Sequence, residues 1–260
     1  MLKIALTQLK PVADKDISLR NIEYYSGIAA ANSSDLIVFP EYYMFYSPYR
    51  DTVIKNSEPL NGNYVRRLKE ISRNSKISII AGINEVYDGN YYDTAVFIQD
   101  GELSNYYRKS HLYDAFGYKE SDIYTYGNGP FKISRIAGIN FGMLICYDIR
   151  FPEVFRNYSM NDADMIVLIS AWFAGTMKEE QWLSLVSVRA LENTVYLATS
   201  NMVGGGFTGI TSFTDPIGAI RTRAAEDEDV IYATVDTERI AAVRKKMPVL
   251  RQRRPELYKL

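Results

Sequence analysis

The chain has one cysteine, Cys146, and one histidine, His111, among its 260 residues. A single cysteine excludes an internal disulfide, and one histidine leaves no cluster of soft ligands for a structural zinc. Neither a metal nor a cofactor is expected. Excess charge is also lacking: 30 basic against 31 acidic residues leave −1. That balance gives no electrostatic reason to expect nucleic acid or an anionic membrane as partner. No apolar run approaches the roughly 20 residues of a membrane span, and the first apolar segment, LKIALTQL, is too short and too polar for a secretion signal. These absences point to a cytoplasmic protein that recognises a small molecule locally.

What is present is a chain with 47% hydrophobic residues, enough to bury one large core, and residues 1–260 read as a single domain. Short runs rich in Val, Ile and Tyr, among them KIALTQ, DLIVFP, KISIIAGI, INFGMLIC and DMIVLIS, are apolar on consecutive positions, as strands buried on both faces would be. Between them ISLRNIEYYSGIAAAN, LNGNYVRRLKEISRNS, FPEVFRNYSM and KEEQWLSLVSVRALEN place apolar residues three and four apart, which is the helical period. The fold class is α/β. The halves also match each other. Asp35 to Phe39 resembles Asp164 to Leu168, and Ile77 to Val86 resembles Val195 to Val203. Each half ends in a turn-linked pair of strands, with turns at Asp100-Gly101 and Asp215 to Gly218. This predicts two β-α-β-α-β-β repeats whose sheets pack face to face with helices outside. The Tyr- and Gly-rich stretch from Asp114 to Gly129 reads as an active-site loop.

Three strand ends carry reactive side chains. Cys146 ends the strand INFGMLI and begins a turn, where a side chain can be presented and backbone N–H groups are free. Glu41 closes DLIVFPE, with Pro40 fixing the exit from the strand. Lys109 ends LSNYYRK. Each alone has an ordinary explanation: a small buried thiol, a solvated turn glutamate, a snorkelling lysine. Together they supply what covalent acyl transfer requires: a thiol nucleophile, a carboxylate to take its proton, and a fixed cation where an oxyanion forms.

The segments FPE at 39–41, YRKSHL at 107–112 and GMLICYDIRFPE at 142–153 resemble, in order and spacing, the three signature segments of the nitrilase superfamily, the carbon–nitrogen hydrolases. The resemblance implies a four-layer αββα sandwich and a catalytic Glu-Lys-Cys triad at Glu41, Lys109 and Cys146. It also implies a second glutamate, matched by Glu120 in GYKESD, and an oxyanion contact from the backbone N–H of Tyr147. Asp148, Arg150 and Glu153 are then turn and supporting residues. The continuation Cys-Tyr-Asp-Ile-Arg-Phe-Pro-Glu and the tail MPVLRQRRPELY are similar to the Nit-type amidases. That branch implies a small ω-amide or 2-oxo acid amide as substrate, a thioester intermediate, and a homodimer or larger homo-oligomer with the tail at its interface. A nitrile or an N-carbamoyl compound is the alternative substrate within the superfamily.

Other features carry competing readings. Tyr43, Trp172 and Phe173 lie just beyond strand ends and are candidates for the pocket lining. His111 follows Lys109 by two residues and would share its face in a continuing strand; a Cys-His hydrolase is the reading this raises, and a supporting histidine is the other. Gly204 to Gly209 matches G-x-G-x-x-G, a nucleotide-binding fingerprint, but ITSFTDPIG reads as a strand and turn where the fingerprint needs a helix. Arg244, Lys245, Lys246, Arg251, Arg253 and Arg254 form a basic cluster without a nucleic-acid motif. A binding protein that retains the fold without turnover is the remaining alternative, against which the intact triad speaks.

Overall fold

The computed structural model describes residues 1–258. The first half of the chain runs β1 (Leu2–Gln8), α1 (Lys15–Ala31), β2 (Leu36–Val38), α2 (Arg50–Asn56), α3 (Asn63–Ser75), β3 (Ser78–Tyr87), β4 (Asn90–Gln99) and β5 (Glu102–Arg108). A small hairpin of β6 (Asp114–Ala115) and β7 (Tyr118–Lys119) follows. The second half runs β8 (Ser134–Ile136), β9 (Ile139–Ile145), α4 (Pro152–Met160), β10 (Met165–Ser170), α5 (Lys178–Asn193) and β11 (Tyr196–Asn201). It continues through a hairpin of β12 (Val203–Gly204) and β13 (Phe207–Thr208) to β14 (Ser212–Thr214), β15 (Ile220–Arg223), β16 (Asp229–Val235) and α6 (Thr237–Lys246).

Two six-stranded sheets result, ordered β16-β1-β2-β3-β4-β5 and β15-β14-β11-β10-β9-β8. In each, three parallel strands are joined by helical crossovers and continue into antiparallel ones. The expected repeat is present and extended by one strand per half, since the turn-linked pairs β4–β5 and β14–β15 follow β3 and β11 rather than include them. β16 returns from the second half to pair antiparallel with β1 along its whole length, which interlocks the halves.

The layers follow from side-chain alternation. Leu2, Ile4 and Leu6 of β1 face inward and share a core with Phe141, Met143 and Ile145 of β9. Ala5 of β1 and Ile37 of β2 face outward and pack with Leu19 and Ile22 of α1 and Leu68 and Ile71 of α3. Helices α4 and α5 cover the other sheet, burying Phe155, Tyr158, Trp182 and Val186. Between the sheets Phe97 meets Phe141 edge to face with centroids 5.0 Å apart, a geometry worth about 0.5–1.5 kcal/mol beyond its area. Asp14 caps α1 by accepting from the N–H groups of Asp16 and Ile17, satisfying donors the first turn would leave free.

Two helices lie outside the sequence expectation. α2 is too short to display a period, and α6 ends in Arg244, Lys245 and Lys246, so half of the basic cluster is a helix C-terminus, where cations suit the dipole. Arg244 donates to the carbonyls of Thr194 and Ala163 and lies 3.7 Å from Asp164. It ties α6 to the second sheet. Gly205 and Gly206 make the turn of the β12–β13 hairpin, and β14 follows; the helix a nucleotide fingerprint needs is absent there. Among the described residues no helix is long and apolar enough to cross a membrane.

Candidate active site

The parallel strands of both sheets deliver their carboxyl ends to one edge, where β1 and β11 are bridged at Leu9 and Met202. That edge is where open α/β folds place ligands. Here β2 leads into Glu41, β9 into Cys146 and β10 into Ala171, Trp172 and Phe173, while β5 delivers Lys109. They line one pocket, together with Glu120, Tyr42, Tyr46, Tyr113, Tyr118, Lys178 and Phe207.

Cys146 leaves β9 with φ of 42°, in the left-handed region that a non-glycine residue rarely occupies, and opens a short 3₁₀ turn, Cys146–Arg150. The sharp turn lifts the thiol out of the sheet into the pocket. The N–H of Tyr147 lies in the first turn of this helix, among the donors without an intrahelical acceptor. Burial above all, and then the charge of Glu41, push the thiol well above the ordinary cysteine range. It rests protonated and needs a base to attack.

Glu41 is buried, with Oε1 accepting from Lys109 Nζ at 2.7 Å and Oε2 accepting from the N–H of Ala171 at 2.5 Å. Its position depends on Gly82 of β3. A Cβ there would stand 2.6 Å from Tyr42 N and 2.7 Å from Glu41 Cα, so only glycine lets the exit of β2 pass. Glu120 opens a 3₁₀ turn behind the β6–β7 hairpin. It accepts from Lys109 Nζ at 2.8 Å, from the hydroxyl of Tyr42 and from the N–H of Tyr113. Every one of these partners donates, so the oxygens of both glutamates serve as acceptors.

Lys109 also lies 3.4 Å from a third acid, Asp93 on β4. Burial opposes its charge, but Glu120 first and then Glu41 outweigh it and hold the ammonium well above the usual lysine range. Three acids around one ammonium would leave two excess negative charges in a buried place, which a protein relieves by keeping a proton. Asp93 is that acid: neither of its buried oxygens has a hydrogen-bond donor of good geometry, and burial, then Glu41, raise its pKa well above the aspartate range. Oxygens of Glu41, Asp93 and Glu120 lie within 4.8 Å of one another, a spacing that could hold a cation. The Lys109 ammonium supplies that positive charge.

Of the other sequence candidates, Trp172 and Phe173 line the pocket, whereas Tyr43 does not. Tyr43 is buried in the outer core, stacked on Phe39, and its hydroxyl accepts from Asn21. Its neighbour Tyr42, at φ of 54°, turns into the pocket instead. His111 does not line the pocket; its ring stacks on Phe151 and its Nδ1 meets Asp148 at 2.7 Å. Asp148 is buried in the turn that Cys146 opens, Arg150 donates to Gln181, and Glu153 is exposed in the first turn of α4. The sequence reading missed Asp93 and Lys178. An acid at the head of the buried run TAVFI was the available signal for Asp93.

Comparison with known proteins agrees with this geometry. Residues 3–245 match the carbon-nitrogen hydrolase family. The deaminated glutathione amidase of Escherichia coli O157:H7 is 33% identical over 228 residues, 87% of either chain. Omega-amidase NIT2 of Mus musculus is 30% identical, over 98% of this chain and 96% of its own. The crystal structure of Saccharomyces cerevisiae Nit3, a member of branch 10 of the nitrilase superfamily, aligns with a TM-score of 0.88 at 27% identity, covering 97% of this chain and 96% of that one. The chain belongs to the carbon-nitrogen hydrolase family.

Proposed function

We propose that the protein is a cysteine-dependent amidase that cleaves the C–N bond of a small linear ω-amide or 2-oxo acid amide. The observation that carries this reading is the convergence of Cys146, Glu41 and Lys109 on one buried pocket from which His111 is absent. The thiol has a carboxylate, and no imidazole, to take its proton.

In this reading Glu41 accepts the thiol proton as sulfur bonds to the amide carbon. The oxyanion is met by the Lys109 ammonium and the Tyr147 N–H, fixed charges that need no reorganisation as the barrier is crossed. The tetrahedral intermediate collapses with cleavage of the C–N bond, Glu41 returns the proton to nitrogen, and ammonia leaves a thioester on Cys146. Water then gives a proton to Glu41 while attacking the thioester, and the released thiolate recovers that proton as the acid departs. Glu120 orients Lys109 through the 2.8 Å contact.

The cytoplasm suits a catalytic free thiol, since a reducing compartment preserves it. A homodimer belongs to the same proposal, supported by exposed Val188 and Leu191 on α5, Met160 on α4, and Leu257 and Tyr258 in the tail. Sedimentation tests the assembly, and a strict monomer contradicts it.

The test of activity is ammonia release from ω-amides with and without a 2-oxo group, a nitrile and an N-carbamoyl amino acid, by wild type and by Cys146→Ala. Release from the amides that falls roughly 10³-fold or more in the variant supports the amidase. Release from the nitrile or carbamoyl compound alone overturns the choice of bond.

A further inference from the structure

The pocket holds a second lysine whose charge nothing balances. Lys178 is the first residue of α5 and is 9% exposed. Its Nζ donates to the hydroxyl of Tyr113 at 3.2 Å, and among the described residues that is its one hydrogen bond. Aromatic rings surround the ammonium, with centroids at 4.4 Å for Phe116, 5.3 Å for Tyr113 and 5.4 Å for Trp172. Ring faces attract a cation but accept no conventional hydrogen bond, so two of its three donors are unused.

Lys109 and Lys178 therefore differ in kind. Lys109 is surrounded by three acids, whereas no ion pair reaches Lys178 among the described residues. The charged side chain that acts on it most is another cation: burial first, and then Arg150, lower the pKa of Lys178. Arg150 lies 4.9 Å from the Trp172 ring, and its hydrogen-bond partner, Gln181, is neutral. Two cations thus flank one tryptophan of the pocket wall without a counter-charge. A buried, uncompensated ammonium is costly, and an anion that arrives with the substrate removes that cost.

We infer that Lys178 is the specificity residue of this pocket and binds a free carboxylate on the far part of the amide substrate while Cys146 meets its amide carbon. The inference rests on the amidase reading and narrows it to amides of dicarboxylic acids. Arg150 adds positive potential without contributing to the lining. The rings of Trp172, Phe173 and Phe207 exclude water around the intervening chain, which strengthens the charge pairing at its end.

The experiment compares glutaric acid monoamide with pentanamide, of equal chain length but without the carboxylate, in wild type, Lys178→Met and Lys178→Arg. Wild type is expected to prefer the monoamide in kcat/KM. In Lys178→Met that preference falls about 10- to 100-fold, the scale of a lost charged hydrogen bond, chiefly through KM. Lys178→Arg restores part of it. Equal losses on both substrates would make Lys178 structural, and an unchanged preference would place the carboxylate elsewhere; either overturns the inference alone. Wild type inactive on both, with neither reacting at Cys146, overturns the amidase reading and this assignment with it.

Discussion

His111 Nδ1 lies 2.7 Å from Asp148 Oδ1, and through this contact the segment that carries Lys109 is fixed to the turn that carries Cys146. The same carboxylate accepts the N–H of His111 at 3.2 Å, the N–H of Ile145 at 3.0 Å and the hydroxyl of Tyr107 at 2.8 Å. Asp148 thus sets the spacing between Cys146 and Lys109 without entering the pocket. Asp148→Ala strands these donors in the interior and is expected to cost roughly 3–5 kcal/mol in urea unfolding. His111→Ala removes this contact and the stack on Phe151, costs about 1–3 kcal/mol and keeps most turnover. A loss of kcat in His111→Ala as deep as that in Cys146→Ala would make the histidine the base.

Glu120 is expected to matter for rate more than for folding. Glu120→Gln keeps the shape but faces an amide toward donors that now meet a carboxylate oxygen. We expect an unchanged unfolding midpoint within about 1 kcal/mol and a fall in kcat on the order of 10²-fold. Wild-type kinetics in this variant would remove Glu120 from the site.

Gly82 tests whether the placement of Glu41 is set by the sheet beneath it. The methyl group in Gly82→Ala would meet the backbone of Tyr42 and Glu41 at 2.6 and 2.7 Å. Overpacking of this kind costs about 1–3 kcal/mol, and displacement of a catalytic group by about 1 Å lowers kcat roughly 10²-fold. If kcat in Gly82→Ala stays within about twofold of wild type, the exit of β2 is not what positions Glu41 for turnover.

Asp93 gives a pH signature. Burial, and then Glu41, raise its folded pKa, so the folded protein keeps a proton that the unfolded chain releases above about pH 4. The folded state binds more protons, and this group therefore weakens stability as pH rises from there toward its folded pKa. Asp93→Asn abolishes the dependence. Its melting temperature relative to wild type should rise between pH 5 and pH 8; a constant or falling difference would show that Asp93 is ionised in the folded protein.

Much of this arrangement is written locally in the chain. Consecutive apolar residues in DLIVF and DMIVL mark strands buried on both faces, and Glu41, Lys109 and Cys146 are legible because each stands where a strand stops. Register is not local. Asp93 reaches the site because β4 pairs with β5, so that the Lys109 N–H donates to the Asp93 carbonyl at 2.9 Å, a pairing between residues 16 apart that no window displays. Tyr42 takes the pocket place expected of Tyr43 because Tyr42 has a left-handed backbone after Pro40, where strand alternation no longer applies. Lys178 looks like any lysine at the start of a helix, and only the aromatic walls around it reveal its burial.

A thioester on Cys146 shared by amide and ester substrates shows itself in partition. Wild type would turn over the amide and the methyl ester of one acid in the presence of hydroxylamine, and the ratio of hydroxamate to free acid would be measured for each. A common acyl-enzyme forgets its leaving group, so one ratio is expected for both substrates. A ratio that changes with the leaving group would contradict it.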